Sequence, residues 1–83
     1  MKLKVEDLRQ IIAECYLELD EVFGIYLYCD KDDLYKLEEE TDEEFYERMK
    51  KFALSMLKKV DDQYREFGMY STWVQYELNR INN

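Results

Sequence analysis

The 83-residue chain has no histidine, no proline, one tryptophan, two glycines and two cysteines. Without histidine it lacks the side chain that titrates near neutrality, the commonest general base and the commonest metal ligand, so Ser/His and Cys/His nucleophile pairs are excluded. Two serines, Ser55 and Ser71, and two isolated glycines, Gly24 and Gly68, leave no nucleophile elbow, no phosphate-cradling loop and no dinucleotide fingerprint. The composition still permits a carboxylate-pair hydrolase, but a core this small rarely encloses the cleft such a pair needs. The chain is therefore read as a non-enzyme without a cofactor.

The same scarcity bears on metals and compartment. Thirteen residues separate Cys15 from Cys29. That spacing matches no zinc motif, and two sulfurs without histidine cannot complete a tetrahedral site. Both cysteines are expected to be reduced core thiols. Asp30 and Asp32 fit the first and third positions of a calcium loop, but Leu34, Tyr35 and Thr41 occupy its fifth, sixth and twelfth positions, where an oxygen ligand, glycine and glutamate are required. No metal site is expected. No stretch approaches the roughly 18 apolar residues of a membrane span. Met1 to Asp7 lead into no apolar targeting segment, which gives a cytoplasmic expectation.

Absence of proline and scarcity of glycine favour helices with short polar connections, and 83 residues suffice for one domain. Val5, Leu8, Ile12, Cys15, Leu19 and Val22 recur in steps of three and four, predicting a helix over about 5–23 with Gly24 as its C-terminal cap. Ile25 to Cys29 is too short and too solitary for a sheet and reads as a buried turn or short helix. Asp30 to Asp33 offer N-cap carboxylates for a second helix of two turns through Leu34, Tyr35 and Leu37. Thr41 and Glu44 have capping-box spacing and open a third helix. Along it, Phe45, Met49, Phe52, Met56, Val60, Tyr64 and Phe67 line one face up to Gly68. Their eleven-residue repeat, about 3.67 per turn, suits a globular core and not a heptad seam. A last helix starts near Ser71 or Thr72, with Thr72 and Gln75 again at capping-box spacing. The expected fold is all-α, a single three- to four-helix bundle over 1–83.

Charge is what the chain has in excess. There are 20 acidic and 12 basic residues, net -8, with a pI near 4.5. From Glu14 to Glu47 there are 14 acidic residues against Lys31 and Lys36, a local net charge of -12, whereas after Glu47 there are 4 acidic and 7 basic, net +3. Nucleic acid and anionic membranes would be repelled by the whole. Helix dipoles account for Asp42, Glu43 and Glu44 in a first turn, and for Asp32 and Asp33. They do not account for Glu38, Glu39 and Glu40, which the predicted second helix places at its C-terminal end. Nor do they favour Glu14, Glu18 and Glu21, like charges on one outward helix face. Four tyrosines, Tyr26, Tyr28, Tyr35 and Tyr46, fall in the same region, and a ring with a hydroxyl tip suits a wet interface.

These features predict a small acidic inhibitor that binds a protein with a basic, nucleic-acid-handling groove. The expected contact set is Glu14, Glu18, Glu21, Asp30, Asp32, Asp33, Tyr35, Glu38, Glu39, Glu40, Asp42, Glu43, Glu44, Tyr46 and Glu47. Carboxylates on successive helical turns can approximate a phosphate track, since duplex DNA carries one charge per about 1.7 Å and a helix rises about 1.5 Å per residue. In class alone, with no shared motif, this resembles phage-encoded counter-defence factors such as anti-CRISPR proteins, which would act in the host cytoplasm. An antitoxin or immunity protein covering a basic toxin is the second reading. A third is a homodimer formed through the last helix, where Trp73, Val74, Tyr76, Leu78 and Ile81 exceed what one inward stripe can use.

Overall fold

The computed structural model describes residues 3–82. It contains three α-helices, α1 (Val5–Phe23), α2 (Asp42–Glu66) and α3 (Thr72–Asn82), and one 3-10 turn at Lys31–Asp33. No strand occurs among the described residues. The all-helical expectation holds, with three helices and not four.

α2 is the longest element, and both α1 and α3 pack against it. From α1 come Leu8, Ile11, Ile12, Cys15 and Leu19; from α2, Phe45, Met49, Ala53, Met56, Leu57 and Val60; from α3, Val74 and Ile81. These side chains form one core. The Cα extents are 42 × 29 × 15 Å, so the helices form a flattened layer whose shortest dimension has room for about two packed helices. Its accessible surface of 5969 Å² exceeds the roughly 5,300 Å² expected for this mass, as a flattened shape requires.

The helix ends follow local chemistry. The Lys4 carbonyl accepts from the Asp7 and Leu8 N–H groups, while the Asp7 carboxylate accepts from the Lys4 N–H at 3.0 Å. Gly24 ends α1 in the left-handed region (φ 68°), which lets the Ile25 N–H turn back to the Leu19 carbonyl. At α2 the predicted capping box forms: Thr41 Oγ1 accepts from the Glu44 N–H and Glu44 Oε1 from the Thr41 N–H. Ser71, not Thr72, caps α3, its hydroxyl accepting from the Val74 N–H at 3.3 Å. Gln75 does not close a box with Thr72; its amide donates instead to Asp61 of α2 at 3.0 Å.

Four expectations are corrected. The second helix does not form, because the carbonyls of Asp33, Leu34 and Tyr35 accept from arginine side chains where a helix would offer its own N–H groups. Ile25 to Cys29 is not a buried turn: Tyr26 and Tyr28 are 77% and 78% exposed, Leu27 is exposed too, and Cys29 is only partly buried. Val22 is also exposed, since the α1 end is closed by Phe23, which meets the Tyr64 ring edge-on at 4.9 Å and stacks on Phe67 at 5.9 Å. Phe67 follows the last turn of α2 and lies outside the core, 66% exposed.

The α3 residues expected to form a dimer face are largely spent within one chain. Val74 and Ile81 are buried, Trp73 and Leu78 pack against the core, and of the five only Tyr76 is exposed.

Candidate protein-binding surface

The acidic run maps onto the connection between α1 and α2, residues 24–41, and onto the helix ends beside it. Two arginines fix this connection. Arg9 of α1 donates from Nε to the Leu34 carbonyl at 3.0 Å, and its guanidinium lies over the Tyr35 ring, 4.6 Å from the centroid. Arg48 of α2 donates to the Asp33 carbonyl at 3.0 Å and the Tyr35 carbonyl at 2.8 Å. The same guanidinium grips Glu40 with two bonds, Nε to Oε2 at 2.8 Å and Nη2 to Oε1 at 3.0 Å. This fork is the geometry in which arginine binds carboxylate best. Glu40 Oε1 also accepts from the Leu37 N–H, and the bonds from Arg48 hold its carboxyl below the usual range. Glu40 therefore has a structural reason to be acidic.

The predicted contact carboxylates divide accordingly. Glu40 fastens the loop to α2. Asp30 Oδ1 accepts from the Asp32 N–H and opens the 3-10 turn. Glu44 belongs to the capping box, and Asp42 pairs with Lys36 at 2.7 Å. Glu18 accepts the Tyr64 hydroxyl, which pushes that phenol upward from its ordinary pKa. The side chains of Glu14, Glu21, Asp32, Asp33, Glu38, Glu39, Glu43 and Glu47 are exposed, and none forms an ion pair among the described residues. Glu14 is set apart from the loop, lining a cleft with Trp73 of α3.

Two depressions flank the N-terminus of α2. One, of about 440 Å³, is lined by Leu37, Glu38, Glu39, Glu40 and Glu44. The other, of about 470 Å³, is lined by Val5, Asp42, Glu43, Tyr46 and Glu47. Each joins carboxylates to an apolar or aromatic side chain, which is what the stem and head of a lysine or arginine require. Tyr26, Tyr28 and Tyr35 are exposed on the same connection. Tyr16 instead faces inward, edge-on to Phe52 at 6.3 Å, and burial together with its hydrogen bond to Cys29 pushes its phenol up to about 12.

Sequence reasoning missed Arg9, Arg48, Val5 and Leu37 here. Arg48 is the first cation after the acidic run, and that position is the one trace of its role in the sequence. No family model matches the chain, and no curated protein or solved structure matches it.

Proposed function

We propose that this protein is an acidic inhibitor that docks onto a basic groove of a nucleic-acid-handling protein through the 24–41 connection and the first turn of α2. One observation carries the reading. After Arg48, Lys36, the caps and the turns have engaged their carboxylates, Glu38, Glu39, Glu43 and Glu47 still project around two depressions, beside exposed Tyr26, Tyr28 and Tyr35. Folding gains nothing from Glu38 and Glu39, which belong to no helix and meet no cation among the described residues. Unpaired charge of one sign beside accessible rings supplies steering from the carboxylates and affinity from the aromatics. The small, proline-free, Lys-, Glu- and Tyr-rich chain suits a phage counter-defence factor of the anti-CRISPR kind.

The double substitution Glu38→Lys/Glu39→Lys tests this with Glu40 left in place. The variant should melt like the wild type and associate with its captured partner about tenfold more slowly at low salt. Duplex DNA or RNA should compete for the same partner. A captured protein that does not bind nucleic acid, or a variant that associates at the wild-type rate, would sink the proposal.

A further inference from the structure

α1 and α3 both pack on α2 and touch each other little, which leaves a cleft of about 170 Å³ between them. Asp7, Gln10 and Glu14 of α1 and Trp73, Glu77 and Arg80 of α3 line it. Glu77 is the buried carboxylate of the described core, 7% exposed. Its Oε1 accepts from Arg80 Nη1 at 3.3 Å, while its Oε2 is buried with no hydrogen-bond partner among the described residues. Arg80 reaches Asp7 only at 3.9 Å, so one guanidinium is spread over two carboxylates at long range. Glu14, the third, has no cationic partner among the described residues. Three carboxylates against one arginine leave the cleft short of positive charge, and its least exposed acceptor short of a donor. Leaving a charged acceptor without a donor is costly, and a charged donor relieves both shortages.

We propose that this cleft is a binding site for a primary ammonium group on a short alkyl chain, seated between Glu77 and Glu14 against the Trp73 ring. A bare metal ion does not suit it, because no three acidic or thiol side chains among the described residues come close enough to ligate one. A guanidinium suits it less well than an ammonium, since its fork needs both oxygens of one carboxylate and Arg80 already holds one oxygen of Glu77. An ammonium has three donors on a compact head. It can serve the Glu77 carboxylate and a second one, with the Trp73 indole beside it. A cleft well below the roughly 300 Å³ of ordinary small-molecule pockets accepts a side-chain-sized group, carried by a protein lysine or by a free polyamine. The cleft takes no lining residue from the 24–41 connection, and the site is independent of the function proposed above.

Trp73 is the only tryptophan, so its emission reports directly on the cleft. Titration with butylammonium should change that emission saturably, with a Kd of about 1 mM. Tetramethylammonium, a cation without donors, should not, and butylguanidinium should bind more weakly. Glu77→Gln should weaken butylammonium binding by about tenfold, and the exposed Glu14→Gln, which leaves the core untouched, by about threefold. Glu38→Lys/Glu39→Lys should leave binding unchanged. Spermidine binding more tightly than N-acetyl-lysine methylamide would identify a free polyamine as the ligand, and the reverse order a protein lysine. An emission change that tetramethylammonium reproduces at equal ionic strength would overturn the site. So would wild-type affinity in Glu14→Gln together with either wild-type affinity or failure to fold in Glu77→Gln.

Discussion

The connection at 67–71 is closed by backbone groups, while the connection at 24–41 is held by side chains reaching in from two helices. At the short one, Gly68 adopts φ 69°, its N–H returns to the Arg65 carbonyl and the Met69 N–H to the Tyr64 carbonyl, the pattern of a Schellman stop. At the long one, backbone bonds are limited to the 3-10 turn, the α1 cap and the Glu40 N–H to the Leu37 carbonyl. Arg9 and Arg48 satisfy three further carbonyls. The short connection therefore gains its shape from its own residues, and the long one borrows it from the layer beneath. A surface built in the second way can carry many carboxylates, because its form does not depend on its own propensity for helix or strand.

The sharpest contrast between layer and connection is in the two cysteines. Cys15 is fully buried in the core, and burial with help from Glu14, Glu18 and Glu77 pushes its thiol up to about 12. Cys29 is only partly buried on the connection. The thiolate is the reactive form, and Cys15 must await opening of the core to become accessible. Under native conditions a thiol reagent should therefore modify Cys29 about a thousandfold faster than Cys15, as quantified by peptide mass spectrometry. Equal rates would mean that the layer is no better ordered than the loop.

Leu57 tests the layer as such. It is fully buried on α2, in the core to which all three helices contribute. Leu57→Ala should cost about 3 kcal/mol in denaturant unfolding, as cavity-forming substitutions in tight cores do. Protection from hydrogen exchange should fall in all three helices at once. Loss confined to α2 would show that the layer is not one cooperative unit.

Gly68→Ala probes the short connection. A Cβ there meets no atom within 4 Å, so the left-handed backbone is the only obstacle. The expected loss is about 1 kcal/mol, read from the midpoint of a urea titration. A neutral result would mean that the chain leaves α2 by another route.

How much could be read beforehand follows the same division. Apolar spacing on α1 and α2, the box at Thr41 and Glu44, and the glycine stops at Gly24 and Gly68 are written within a few residues of where they act. Asp30 to Leu37 misled because its N-cap carboxylates are real signals for a helical start. Asp30 does cap one, but Arg48 and Arg9 draw the next carbonyls away after a single 3-10 turn. Arg9 lies 25 residues from the carbonyl it binds, a distance at which no local pattern operates. Val22 and Phe67 failed for a different reason, since periodicity gives the face of a helix and not where its neighbour ends. In the candidate surface, the excess of charge was legible, but the separation of Glu40 from Glu38 and Glu39 was not.

Arg48→Met gives the smallest effect on global stability and the most local one. Methionine keeps an apolar stem near Phe45, over whose ring the guanidinium lies at 5.4 Å, and removes the bonds to Glu40, Asp33 and Tyr35. The core does not rest on those bonds, so thermal unfolding should shift little while amides of 31–40 exchange faster. Acid should reproduce this release in the wild type. The folded-state pKa of Glu40 is lowered, chiefly by its bonds from Arg48, so its contribution is fully present above the unfolded carboxylate value, about 4.3. It is lost only as the pH falls through the lower, folded value. Carboxyl NMR should therefore show Glu40 titrating below the ordinary range in the wild type and within it in Arg48→Met. If acid frees 31–40 at the same pH in both proteins, another group holds the connection, and Arg48 merely rests against it.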